Sequence, residues 1–237
     1  MLTVDFDRLG VRPGTSFLDV GAGQGRHSFE ALRRGAHVVA FDLNADDLAD
    51  VDEMFTAMVD EGEAPEGSSA RVQQGNVLEM PFADGSFEVV LASEMLEHVP
   101  DDEGAIAEIV RVAAPGATVA VTVPTWLPER ICWALSTEYH SNEGGHIRIY
   151  RAGELRAKLE AAGLVHTGTS HAHALHSPYW WLKCAVGVHN ENHPLVQQYH
   201  RLLVWDMLQA PALTRTAVKV LDPLIGKSVV LYLRKPV

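Results

Sequence analysis

The sequence predicts an α/β fold built on a parallel, doubly wound sheet. Through the first half of the chain, short β-branched or apolar runs alternate with amphipathic stretches of helical period. The first such run opens into a glycine-rich turn, FLDVGAGQGRHS at 17–28, in which Gly21, Gly23 and Gly25 fall within five positions. Strand and helix in strict alternation is the order that covers both faces of a parallel sheet with helices.

Each element has its own signal. SFLDV (16–20) is a buried strand, and GRHSFEALRRG (25–35) a helix with Phe29 and Leu32 at helical spacing, stopped by Gly35. HVVAFDL (37–43) is a second buried strand. Asn44 caps a long helix over 45–62, whose apolar face is Leu48, Val51, Met54, Phe55 and Met58. EGEAPEGSS (61–69) reads as a loop, ARVQQG (70–75) as a third strand, and 87–92 as a fourth behind an Asp-Gly turn. DDEGAIAEIVRVA is helical and PGATVAVTV (115–123) the fifth strand. Beyond Pro124 come an amphipathic helix over 150–164, a strand-like stretch to about 175, a largely helical segment over 179–226 and a last strand, KSVVLYLRK, at 227–235. The whole, 1–237, is expected to be one domain.

Composition narrows the partners. The formal net charge is −12, which repels phosphate backbones and anionic lipid and argues against nucleic-acid and membrane partners. No apolar run approaches the roughly 18 residues needed to span a bilayer, and MLTVDFDRLGVRPG carries no secretory pattern. Cys132 and Cys184 lack metal-type spacing and read as reduced, buried thiols, so a cytoplasmic location is expected.

The glycine turn raises the question of which nucleotide it holds. A dehydrogenase fingerprint needs a third glycine for tight helix packing, and Arg26 stands at that position. The pattern is instead D-x-G-x-G-x-G, Asp19 to Gly25, with Asp42 ending the second strand and Gly75-Asn76-Val77 following the third. This set resembles the motifs of class I S-adenosylmethionine-dependent methyltransferases of the small-molecule type, actinobacterial O-methyltransferases among them. The run 91–124 and the helix before the sixth strand continue the resemblance, which covers roughly 10–175 and the last strand.

The resemblance implies a Rossmann-like, mostly parallel sheet of seven strands, with S-adenosylmethionine as cofactor. It implies cofactor contacts from Asp19, Gly21, Ala22, Gly23 and Gly25 in the turn, and from Asp42 and Leu43 at the ribose. Asn76 and Val77 are implied at the adenine and Ser93 at the end of the fourth strand. Asn76 departs from the family's usual Asp, but its amide oxygen still accepts a hydrogen bond from an amino group. Asp19 is expected either to order the loop or to meet the cofactor's ammonium. A nicotinamide-dependent oxidoreductase and a non-catalytic cofactor-binding protein are the alternative readings.

The acceptor side has to come from elsewhere. About fifteen residues precede the first strand, which leaves the substrate cap to 125–150 and to the helical insertion at 177–226, before the last strand. All seven Phe lie at or before Phe87, whereas all five Trp and all five Tyr follow Pro124. Trp and Tyr carry a polar handle, so the second half reads as packing for the added helices, as a pocket wall, or as a homodimer face. Nine of twelve His also follow Pro124. In the polar loop TEYHSNEGGHIRIY, His146 is the expected general base with His140 as substitute, and Glu143 lies between them. Glu94, just past the fourth strand, is expected to orient the acceptor hydroxyl or His98, or to act as base itself.

No metal is assigned. His171 and His173 alternate onto one strand face but have no carboxylate or cysteine alongside, and the fifth strand ends VPTW, where catechol-type members carry acidic or amide residues. The expected reaction is methyl transfer to a hydroxyl oxygen of a small molecule, a sugar or a secondary metabolite.

Overall fold

The computed structural model describes residues 1–141 and 145–237. Its strands are β1 (Ser16–Val20), β2 (His37–Asp42), β3 (Ser69–Gln74), β4 (Phe87–Ser93), β5 (Ala113–Pro124), β6 (Val165–Ala172) and β7 (Ser228–Arg234). They form one sheet in the order β3-β2-β1-β4-β5-β7-β6, with β7 antiparallel to both its neighbours and the others parallel. The doubly wound, mostly parallel seven-stranded fold is therefore the one observed. Strand order reverses between β1 and β4, and the crevice at their carboxyl ends is where open α/β sheets bind ligands.

The helices are α1 (Phe6–Leu9), α2 (Arg26–Arg33), α3 (Ala45–Asp60), α4 (Asp102–Val112), α5 (Trp126–Leu135), α6 (Glu138–Ser141), α7 (Ala152–Ala161), α8 (His176–Val186), α9 (Pro194–Gln209) and α10 (Ala212–Ile225). Alternate residues of each central strand feed two separate cores. Val39, Phe41, Val90 and Ala92 join Ile106, Ile109, Leu155 and Leu159 on one face. Val38, Ala40, Val89 and Leu91 join Leu32, Val51, Phe55 and Phe6 on the other. That period-two division into two apolar faces is what a strand buried on both sides requires. Asn44 caps α3 as expected, accepting from the Asp46 N–H at 3.0 Å.

Three expectations need correction. The stretch 137–150 is not all loop: α6 supplies a helical turn, and Glu143 lies outside the described residues. β6 stops at Ala172, and His173 follows it in the left-handed region at φ 68°, so His171 and His173 do not share a strand face. Finally, the first residues, few as they are, reach a hollow beside the sheet. The Thr3 N–H donates to His27 Nε2 at 3.2 Å and Thr3 Oγ1 lies 3.0 Å from His173 Nε2, which brings Met1 to the wall of a hollow beside the sheet edge.

Candidate functional site

The glycine turn bridges β1 and α2, and each glycine answers a different demand. Gly21 and Gly23 take φ of 71° and 50°, which L side chains rarely adopt. A Cβ on Gly21 would strike Met95 Cβ at 2.8 Å, whereas one on Gly23 would stand in open space on the cleft side. Gly25 serves packing instead: its Cβ would press to 2.7 Å of Phe29 and 2.9 Å of Val51, and it lines no cleft. Ala22 likewise stays out of the cleft lining and ties the turn to β2, donating its N–H to the Phe41 carbonyl at 3.1 Å.

Asp42 fixes the other wall. One carboxylate oxygen accepts from the Gly23 N–H at 2.8 Å and the other from the Asn44 N–H at 2.9 Å. Each oxygen keeps a second lone pair for an outside donor. Leu43 beside it is 70% exposed, an apolar surface for a flat ring to lie on. Asn76 accepts from the Leu78 N–H at 3.0 Å and lines the same cleft with Val77 and Leu78. Together with Phe41, Met95, Val99 and Pro100 these residues enclose a cleft of about 500 Å³. Sequence reasoning missed the last four, which flank the motifs without belonging to them.

Asp19 lies beneath the turn, 1% exposed. Its Oδ2 accepts from Ser28 Oγ at 2.7 Å, while Oδ1 is buried with no partner among the described residues. Burial pushes its carboxyl up to about 6. A mirror-positioned glycine turn, a two-oxygen acceptor, an exposed leucine and an unpaired buried carboxylate oxygen suit a nucleoside bearing an amino acid: ribose at Asp42, adenine between Leu43 and Val77, ammonium toward Asp19. The residues thus fit S-adenosylmethionine. Ser93 departs from expectation. It turns into the sheet, with Oγ 3.0 Å from Thr122 Oγ1, and does not line the cleft.

Glu94 connects this cleft to a second hollow of about 320 Å³, because its side chain lines both. It sits at φ 54°, an uncommon conformation for a non-glycine residue, held by its N–H donating to the Thr122 carbonyl at 3.0 Å. Its Oε1 accepts from Thr122 Oγ1 at 2.9 Å. Burial raises its carboxyl above the ordinary range, offset in part by the charge of Lys227. The second hollow is walled by Arg26, His173, His176, Trp180, Met207 and Lys227, besides Met1 and Ser228. Burial pushes His173 down to about 3, so it is neutral there, as is His27 behind it.

His146 is held by a partner the sequence did not reveal. Its Nδ1 lies 2.6 Å from Glu129 Oε1, a carboxylate only 1% exposed that also accepts from Trp133 Nε1 at 3.1 Å. Burial alone would raise Glu129, but the hydrogen bond from His146 and the charge of Lys227, 3.7 Å away, hold it below the usual range. An ionised carboxylate only accepts, so Nδ1 carries a proton and the ring is oriented by that bond. The signal was present in LPERICW, where Glu129 falls in the buried phase of α5 with Pro128 and Cys132. His140 is not at the site. Its ring stacks on Trp133 at 4.4 Å, behind Glu129, and it lines neither hollow.

The aromatic residues divide. Trp180 lines the second hollow, Tyr150 and Tyr232 are buried in the core, and Trp181 donates to the Pro128 carbonyl at 3.1 Å to lock α8 onto α5.

Comparison with known proteins agrees with this geometry. A family model described as a methyltransferase domain matches residues 18–121. A ubiquinone biosynthesis O-methyltransferase of Hahella chejuensis is 37% identical over 171 residues, covering 69% of this chain and 68% of that protein. A demethylmenaquinone methyltransferase of Beutenbergia cavernae is 35% identical over 125 residues, 52% of this chain and 47% of that one. Other curated relatives, uncharacterized mycobacterial proteins 35% identical over 112 residues, are matched over only 38% of their length and 47% of this chain. Among solved structures, geranyl diphosphate C-methyltransferase from Streptomyces coelicolor, crystallised with S-adenosyl-L-homocysteine, superposes with a TM-score of 0.61 at 16% identity, over 98% of this chain and 78% of that one. With the motif residues converging on one cleft and the Hahella relative matched over two thirds of its length, the chain belongs to the class I S-adenosylmethionine-dependent methyltransferases.

Proposed function

We propose that this protein methylates a hydroxyl oxygen of a small molecule. The observation that carries the reading is the position of Glu94, whose carboxylate lines both the cofactor cleft and the second hollow. S-adenosylmethionine supplies, when bound, a methyl group activated by a positively charged sulfur. The chain's own work is to place the acceptor in the second hollow, in line with the cleft, and to take up its proton.

One group is arranged for that proton and a second stands beside it. Glu94 has a carboxyl raised toward neutrality, which makes its carboxylate a better base than an exposed one. His146, oriented by Glu129, stands close enough to bias Glu94 electrostatically. The wall of Trp180, Met207 and Met1 excludes water from one side, while Arg26, Lys227 and the histidines offer polar contacts. That mixture favours an amphipathic hydroxylated acceptor. The Hahella relative, an O-methyltransferase by name, supports oxygen as the target.

The test is a screen of sugars, phenols and hydroxylated lipids with methyl-labelled S-adenosylmethionine, followed by chemical assignment of the labelled position. The proposal expects an O-methyl product, with kcat falling at least tenfold in Glu94→Gln while the affinity for S-adenosylhomocysteine is kept. A C-methyl product would overturn the oxygen assignment. Unchanged turnover in Glu94→Gln would overturn the role of Glu94. Reduction of NAD by any acceptor, without methyl transfer, would restore the oxidoreductase reading.

A further inference from the structure

Glu97 poses an unsolved charge problem. It is 1% exposed, yet neither carboxylate oxygen has a hydrogen-bond partner among the described residues. A carboxylate in that position costs several kcal/mol unless it is neutralised or paired. Glu94 and Glu129 stand nearby and make matters worse, since each repels a charge on Glu97.

The residues around it are metal-ligand types. One carboxylate oxygen of Glu97 and one ring nitrogen each of His98 and His146 all lie within 4.8 Å of one another. The two rings meet edge to face at 4.9 Å. The backbone holds the three together, because the Ile147 N–H donates to the Glu97 carbonyl at 3.0 Å and pins the two segments side by side.

The imidazoles are also oriented as ligands commonly are. His146 Nδ1 is bound to the Glu129 carboxylate, and His98 Nδ1 faces the Gly145 carbonyl at 3.3 Å. Metal-bound histidines usually donate their second ring N–H to a carboxylate or a carbonyl in this way, which fixes the orientation of the ring.

We infer that Glu97, His98 and His146 form a binding site for a divalent cation of the Zn²⁺ type. Two histidines and one carboxylate with an open fourth position are a catalytic zinc set, and imidazole donors select against Mg²⁺ and Ca²⁺. Tetrahedral bonds of about 2.0–2.1 Å put ligand atoms roughly 3.4 Å apart, so the widest pair closes by no more than about 1.4 Å, within reach of side-chain rotation. The ion supplies the positive charge that the buried carboxylate lacks. Its role in turnover rests on the O-methylation reading: a cation at this site sets a positive charge near Glu94, which lines both hollows. Its binding does not rest on that reading and is measured without any acceptor.

The experiment titrates the untagged, chelator-treated full chain with Co²⁺, followed by visible absorption, and then with Zn²⁺ in competition. One equivalent of Co²⁺ with d–d bands, displaced by one equivalent of Zn²⁺, is expected. Glu97→Gln and His98→Asn each abolish the bands. Glu129→Gln, which removes the carboxylate behind His146 and leaves the three ligands in place, weakens binding by about 10–100-fold. Circular dichroism and thermal melting show whether each variant is folded. His98 is exposed, so His98→Asn keeps the test decisive should Glu97→Gln fail to fold. Absence of stoichiometric binding, or wild-type bands in His98→Asn, overturns the site.

Discussion

Asp42→Ala offers a direct test of the donor half of the site. The side chain does two jobs through the same atoms. Its oxygens accept the Gly23 and Asn44 N–H groups at 2.8 and 2.9 Å, and their remaining lone pairs face the cleft. Hydrogen bonds to a charged group are worth about 1.5–3 kcal/mol each, with a half-exposed site at the lower end. Loss of a single ribose contact at that lower end already corresponds to about tenfold in affinity. Alanine also releases the glycine turn, which adds to the loss. Asp42→Asn is expected to be nearly as damaging despite its shape. Its NH2 must face one of two backbone donors, and that donor then loses its acceptor. Calorimetric titration with S-adenosylhomocysteine measures both variants, and a weakening of tenfold or more is expected in each. A dissociation constant within twofold of wild type for Asp42→Ala would refute the ribose assignment.

The glycines of the turn should separate by phenotype. Gly23→Ala meets only the backbone cost of a left-handed residue, about 1–2 kcal/mol, and should weaken cofactor binding. Gly25→Ala forces its Cβ into Phe29 and Val51 and should lower the melting temperature more; equal melting temperatures would argue against that packing role. Asp19 should show a stability cost that grows with pH. Its carboxyl is at about 6 when folded, against 3.8 unfolded, so the folded state binds the proton more tightly. Stability is then highest below the unfolded value and falls as pH rises through about 6, by up to about 3 kcal/mol at pH 7. Asp19→Asn should therefore stabilise the cofactor-free protein at pH 7, leave it little changed at pH 4, and weaken S-adenosylhomocysteine binding. A destabilised Asp19→Asn at pH 7 in denaturant melts would refute this. For the homodimer proposed on the C-terminal insertion, the exposed Trp205, Leu208, Leu213 and Leu224 are the natural contact. Light scattering should give a dimer, and Leu213→Glu with Leu224→Glu a monomer; a monomeric wild type would end the proposal.

The donor half was legible because its determinants are local. Gly21, Gly23, Asp42 and Asn76 each stand within a residue or two of a strand end, and a parallel sheet brings successive strand ends to one edge without further instruction. The acceptor half is assembled over long separations. Glu129 reaches His146 from seventeen positions away, and Lys227 reaches Glu129 from the far end of the chain. No spacing rule links such pairs. Ser93 lies outside the cleft lining because strand alternation points it at Thr122, a register that sequence does not give. His140 lies against Trp133, on a helix whose packing partner, α8, comes fifty residues later. The first residues were discounted for being few, yet Thr3 needs only one hydrogen bond to His27 to bring the segment to the pocket wall.

The acidic residues of the joint make a further demand on the cofactor. Burial raises the carboxyls of Glu94 and Glu97 above the ordinary range, and the charge on Glu94 raises Glu97 further. A carboxyl raised in this way holds its proton more readily than an exposed one and gives it up more readily when a positive charge arrives. S-adenosylmethionine carries that charge on sulfur, whereas S-adenosylhomocysteine does not, so comparison of the two isolates the field at the reacting centre. Cation binding favours the ionised carboxylates and so releases protons. In chelator-treated protein the ratio of the two affinities should therefore rise in favour of S-adenosylmethionine as pH increases. Calorimetry in buffers of different ionisation enthalpy should show proton release for S-adenosylmethionine in excess of that for its product. A ratio that stays flat would mean that Glu94 and Glu97 do not sense the sulfur. The Glu94 carboxylate would then face the second hollow alone, and its part in the reaction would reduce to holding the acceptor.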